Sequence, residues 1–175
     1  MDVIVEDTNI LIDLFNTGLI RYCQLMGIEF HTTGYVISEI EDHEQRTFII
    51  GYIINGLLKV DSFEGDDYVL LVNTKQSFEG QNNLSDADCS VMLLAERLHC
   101  RLLTADQKLV RQARERGLEV NGFLWLTDKM VEMGIVEPAM MAECLQRYKD
   151  TNPRVKEPET TDRINQYREN NNSKT

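Results

Sequence analysis

Asp7, Glu39, Glu41, Asp86, Asp88 and Asp106 are the residues of this chain whose types and placement point to chemistry. Asp7 follows the apolar run Val3-Ile4-Val5, and Asp106 follows Arg101-Leu102-Leu103-Thr104. Asp86 and Asp88 open a helix ahead of that second run, and Glu39 and Glu41 lie on a short segment after Ile28–Thr32. In a parallel sheet, ligands collect beyond the carboxyl ends of the strands. Carboxylates gathered there repel one another, so a cluster implies a cation. Their oxygens are the hard donors that suit Mg²⁺ or Mn²⁺.

Each acid also has a plain structural use. Asp7, Thr8 and Asn9 are all good N-cap types. Ser85-x-x-Asp88 has the shape of a capping box, and Thr104 or Asp106 can start the next helix. Glu39, Glu41 and Asp42 can form a solvated face. Capping, however, does not require several helices to present acids to one edge. At this level Glu39 competes with Glu41 for one place and Asp88 with Asp86 for another.

The elements that must position these acids alternate between strand and helix. Strands are expected at Val3–Val5, Ile28–Thr32, Leu57–Phe63 (an edge), Arg101–Thr104 and Leu118–Asn121. Helices are expected from Ile10, then at 18–26, 35–42, 43–55, 66–79, 84–100, 106–116, 123–133 and 138–149. The clearest is 84–100, where Val91, Leu94, Ala95 and Leu98 recur at helical spacing. The pattern predicts an α/β fold, a three-layer α/β/α sandwich around a parallel sheet of 4–5 strands. The domain is expected to span 1–150. Residues 151–175 are polar and read as an extended tail, with a short helix near 162–169.

The runs DTNILIDL (7–14), ISEIE (37–41) and LSDADCSVMLLAERLHCRLLTADQKL (84–109), in that order, resemble the PIN-domain nucleases. The resemblance is closest to their VapC-like toxin branch and covers about residues 1–125. It implies a metal-dependent endoribonuclease using Asp7, Glu39, Asp88 and Asp106. Asp7, Asp88 and Asp106 would be the ligands of Mg²⁺ or Mn²⁺, with Asp7 central. Thr8, Asn9, Thr104, Asp86 and Glu41 would support them. It also implies an RNA substrate, a small antitoxin protein as partner, and a homodimer.

Composition sets the limits. The chain has 175 residues and a net charge of −11, which argues against a protein held on nucleic acid by bulk basic charge. The 42% hydrophobic content excludes a disordered chain. No apolar run is long enough to span a membrane. Cys23, Cys89, Cys100 and Cys144 lack metal-site spacing and read as reduced thiols, so a cytoplasmic protein is expected. Charge is uneven: residues 1–150 carry −12 and the tail +1, while 97–116 carry +4. There Lys108, Arg111 and Arg114 follow at three-residue steps, opposite Leu109, Val110 and Ala113, as a strip able to guide an RNA backbone. Phe15, Phe30, Phe48, Tyr52 and Trp125 fall at apolar positions and are expected in the core.

Two other functions fit parts of this pattern. One is a catalytically silent PIN-like protein that acts by binding or regulation. The other is a phospho-accepting receiver domain, suggested by Glu6-Asp7. That fold wants a Lys after its last strand, whereas Gly122 follows Leu118–Asn121.

Overall fold

A computed structural model describes residues 2–78, 80 and 83–172, with side chains to Glu169. The chain forms two compact units, one of Met1–Leu11 with Ile28–Gly122 and one of Ile12–Gly27 with Phe123–Thr175.

The first unit is built on the expected parallel sheet. Its strands are β1 (Asp2–Glu6), β2 (Ile28–Thr33), β3 (Lys59–Asp61), β4 (Arg101–Leu103) and β5 (Val120–Asn121). They lie in the order β3-β2-β1-β4-β5 and all pair parallel. Strand order reverses at β1, which places the end of β1 at the point where such sheets bind ligands. Ile4 and Val5 of β1 and Leu102 and Leu103 of β4 are buried. β1 and β4 carry short β-branched or leucine-rich runs, as expected for central strands of a parallel sheet, whereas the edge strand β3, Lys59-Val60-Asp61, is largely exposed.

Between the strands run α1 (Thr8–Thr17, shared with the second unit), α3 (Gly34–Glu39), α4 (His43–Ile54), α5 (Asp66–Ser77), α6 (Asp86–Leu98) and α7 (Gln107–Glu115); α2 is Ile20–Cys23. Helix α6 packs on β1, β2 and β4. Its residues Ala87 and Cys89 through Ala95 are all buried, so the clearest helix of the sequence is also the central one. It ends at His99 with φ 49°, a left-handed residue that closes the helix without glycine.

The second unit holds the end of α1, α2, a 3₁₀ turn at Gln24–Met26, α8 (Phe123–Glu132), α9 (Pro138–Thr151) and α10 (Glu159–Asn172). Tyr148 packs on Phe123 with ring centroids 4.5 Å apart. Asp13 accepts two bonds from Asn152 Nδ2, at 3.0 and 3.2 Å. Asp128 on α8 takes Arg163 Nε from α10 at 2.7 Å, and the Tyr167 hydroxyl as well.

Several expectations are corrected. The tail is not extended: the short helix expected near 162–169 lies within α10, which runs for 14 residues and buries Thr160, Ile164 and Tyr167. Those three residues recur at helical spacing in a segment otherwise so polar that the stripe is hard to see. The expected helix at 18–26 breaks into α2 and the 3₁₀ turn, which ends at Gly27 with φ 65°. Phe48 is 42% exposed and stacks on Tyr52, centroids 5.3 Å apart, outside the core. The expected helix end at Glu79, the loop residues Gln81 and Asn82, and the last three residues of the tail lie outside the described residues.

Candidate functional site

Asp7 sits one residue past β1, and its N–H donates to Leu103 O at 3.1 Å, which holds it against the end of β4. The residue is 2% exposed. Its Oδ1 accepts from the Thr8 N–H at 2.7 Å, and its Oδ2 from the Thr104 hydroxyl at 2.7 Å and from Asn9 Nδ2 at 3.5 Å. Burial pushes its pKa up to about 6, and the charges of Asp88 and Glu39 push the same way against the bonds from Thr104 and Thr8.

Glu39 is the last residue of α3, where the Thr33 hydroxyl at the end of β2 caps the helix start by accepting from the Val36 N–H. Glu39 Oε2 accepts from the Thr8 hydroxyl at 2.9 Å. Glu41 lies beyond α3, because Ile40 turns to extended backbone at φ −77°, ψ 102°. Of the two glutamates, Glu39 is therefore the one tied to the Asp7 segment.

Asp88 occupies the third position of α6 and completes the capping box expected from the sequence. Its Oδ2 accepts from the Ser85 N–H at 2.7 Å, while Ser85 Oγ accepts from the Asp88 N–H at 3.0 Å. Burial raises its pKa first, opposed by the Ser85 bonds, and Asp106 and Glu39 raise it further. Asp88 is thus the acid that feels both Glu39 and Asp106 and that acts on Asp7. Asp86 is exposed, and the leading charge influences on Asp88 come from Asp106 and Glu39 instead.

Asp106 caps α7, its Oδ1 accepting from the Lys108 and Leu109 N–H groups at 2.8 and 2.9 Å. Its own N–H donates to the Thr104 hydroxyl oxygen at 3.1 Å. Asp88 and Asp106 therefore fill the capping roles and also lie within electrostatic reach of each other. Lys108, Arg111 and Arg114 are exposed on α7, with Leu109, Gln112 and Ala113 buried behind them. Gln112, rather than Val110, completes the buried side. Arg114 also reaches back to Val120 O at 3.4 Å.

An open cleft of about 590 Å³ adjoins the acids, lined by Tyr35, Ser38, Glu39, Lys75, Asp86 and Asp88 among others. Lys75 Nζ donates to Asn83 Oδ1 at 3.0 Å and to Leu84 O. Tyr35 and Lys75 carried no signal in the sequence, since one aromatic on a short helix and one lysine on a distant helix have no shared spacing.

The donor set suits a hard divalent cation: four carboxylates, two of them raised in pKa, with the strongest charge influences on Asp7 and Asp88 among the described residues all coming from other acids. Glu39, Asp88 and Asp106 are each anchored through one named oxygen, which leaves the other as a potential donor. As the side chains stand, no three His, Cys, Asp or Glu among the described residues are close enough to hold an ion.

Comparison with known proteins gives a consistent setting. The chain is 29% identical over 98 residues to an endoribonuclease Nob1 of Pyrococcus abyssi, a match covering 56% of this chain and 61% of that protein. It thus spans about six-tenths of the curated relative's length. A domain of a functionally unknown protein from Methanocaldococcus jannaschii superposes with a TM-score of 0.46 at 20% identity, covering 70% of this chain and 91% of that one. A PilT N-terminus domain protein from Sulfolobus solfataricus superposes with a TM-score of 0.40 at 14% identity, covering 71% and 89%. The family described as DUF3368, PIN domain, matches residues 3–169, nearly the whole chain including most of α10, and the chain belongs to that PIN-domain family.

Proposed function

We propose that the chain is a metal-dependent endoribonuclease that hydrolyses phosphodiester bonds at the acids on the carboxyl edge of its sheet. The observation that carries this reading is Asp7. It is a nearly fully buried carboxylate pushed up to about 6, and among the described residues the charges that weigh most on it are those of Asp88 and Glu39. Such a cluster is unfavourable unless a positive ion shares it. PIN-domain membership and the endoribonuclease name of the Pyrococcus relative support RNA as the substrate.

Asp7, Asp88 and Asp106 would hold Mg²⁺ or Mn²⁺, with Glu39 completing the acidic wall. Bound there, the ion would polarise the scissile phosphate and lower the pKa of an attacking water. The chain's own groups prepare the place. Thr104 and the Thr8 N–H fix the two Asp7 oxygens, the Thr8 hydroxyl fixes Glu39, and Ser85 fixes Asp88. Asn9 supports Asp7 from its own segment. Lys108, Arg111 and Arg114 would guide the RNA backbone from α7. A VapC-like toxin role, an antitoxin partner and a homodimer belong to the same proposal as what the resemblance implies, and a cytoplasmic setting follows from the scattered cysteines. Among the described residues, no helix is long and apolar enough to cross a membrane.

Calorimetry with Mn²⁺ on the wild type and Asp7→Asn, paired with RNA cleavage with and without EDTA, tests the proposal. Binding that the substitution abolishes, and cleavage that EDTA stops, are expected. A wild type that binds no Mn²⁺ would sink it. Binding without cleavage of any RNA would instead identify a PIN-domain protein that acts by recognition.

A further inference from the structure

Resting on the ribonuclease reading, the cleft beside Asp88 has a further use. Tyr35 lines it four residues before Glu39 on α3, so the ring and the acid share one face of that helix. A volume of about 590 Å³ suits a single small group such as one nucleoside. The one lysine in the lining is already bonded to Asn83 and to the Leu84 carbonyl. The other charged groups there are Glu39, Asp86 and Asp88. This wall repels phosphate and accepts hydrogen bonds, so it admits a base rather than a backbone.

A carboxylate only accepts, and its two oxygens take two parallel donors. Guanine alone among the RNA bases places two donors side by side on its pairing edge, N1–H and the N2 amino group. Adenine and cytosine present one donor beside an acceptor, and uracil one donor between two acceptors. Glu39 and Asp88 are tied to the acid cluster. Asp86 is exposed and lines the cleft, and the leading charge influences on Asp7 are Asp88 and Glu39 rather than Asp86. We infer that the cleft is a subsite for an unstacked guanine of single-stranded RNA next to the scissile phosphate. Tyr35 stacks on the base, and the Asp86 carboxylate accepts from N1–H and N2–H. Splaying a base onto an aromatic ring and reading its pairing edge is the usual route to sequence-selective RNA binding.

The test is fluorescence anisotropy of labelled heptanucleotides in EDTA, where the ion plays no part. The probes are UUUGUUU, UUUAUUU, UUUCUUU and UUUUUUU. The guanine probe is expected to bind on the order of tenfold tighter than the other three, as for one bidentate base contact. Asp86→Asn and Tyr35→Ala should each erase that margin, while Tyr35→Phe should keep it, with circular dichroism confirming that each variant is folded. Equal binding of all four probes, no binding of any, or a margin that survives both Asp86→Asn and Tyr35→Ala would overturn the subsite. A protein that prefers guanine yet cleaves no RNA in Mn²⁺ would retain the subsite and overturn the nuclease reading. Metal-dependent cleavage with equal binding of the four probes would do the reverse.

Discussion

The Thr104 hydroxyl donates to Asp7 Oδ2 at 2.7 Å and accepts from the Asp106 N–H at 3.1 Å. One buried oxygen thus ties the acid after β1 to the cap of α7. Thr104→Val keeps the shape and removes both bonds. Stability should fall by about 1–2 kcal/mol, since buried polar groups lose their partner. Mn²⁺ affinity should fall about tenfold, as when a group that orients a metal ligand is lost. Urea unfolding and calorimetry check the two effects separately. Unchanged affinity would show that Thr104 serves the fold alone.

Asp7→Asn should separate stability from function. The substitution removes a buried carboxylate that two other acids oppose. At pH 7.5 the variant should be more stable than the wild type by about 1–2 kcal/mol, although it binds no Mn²⁺. A lower urea midpoint for the variant would mean that the charge itself supports the fold.

Metal affinity should depend on pH through the same residue. Asp7 carries a proton below about 6 in the ion-free protein, and an ion must displace that proton. Mn²⁺ binding should therefore weaken as pH falls through 6, by about tenfold at pH 5 relative to pH 7.5. Calorimetry in buffers of different ionisation enthalpy should also register proton release below pH 6. Affinity that does not change over this range would remove Asp7 from the ligand set.

Two further buried acids set the pH dependence of stability. Burial pushes Glu6 up to about 8 and Asp13 up to about 7, the latter against the bonds from Asn152. Glu6 is 2% exposed, and its Oε1 has no hydrogen-bond partner among the described residues. A carboxyl whose folded pKa is raised binds its proton more tightly when folded. Its stabilising contribution is therefore full below about 4.5 for Glu6 and is lost as pH rises through about 8. Glu6→Gln should leave stability at pH 4.5 little changed and raise it at pH 8.5 by on the order of 3 kcal/mol. Asp13→Asn should flatten the range from about 4 to 7 in the same way. Melting curves across pH 4–9 decide, and parallel wild-type and variant profiles would rule the effect out.

The final helix should contribute to the stability of the second unit. Ile164 is 3% exposed on α10. Ile164→Ala should cost about 2–4 kcal/mol by removing buried methyl groups and leaving a cavity. A solvated tail would lose almost nothing.

The sheet was legible because Val3-Ile4-Val5 and Arg101-Leu102-Leu103 are short apolar runs with an acid close behind each. The capping box was legible because Ser85 and Asp88 stand at fixed local spacing. Contacts between distant segments left no such trace. The bond from Thr8 to Glu39 spans 31 residues and that from Thr104 to Asp7 spans 97, so neither follows from spacing. The choice of Glu39 over Glu41 depended on where α3 stops, a backbone turn at Ile40 that the residue types around it do not specify. Helix α10 was legible only in part, as a short helix near 162–169, because among its described side chains just Thr160, Ile164 and Tyr167 of a polar stretch are buried.

Asp88 and Asp106 hold helix starts in place whether or not any reaction occurs. A lineage that gave up catalysis would still lose stability by replacing them, so selection for folding alone would keep both. Glu39 lies at the end of α3 rather than at a helix start, and although the Asp7 carboxylate accepts from the first N–H of α1, burial of its charge disfavours the fold. Across related chains, loss of Asp7 or Glu39 is therefore the mark of an abandoned activity, and the persistence of Asp88 and Asp106 says little about it.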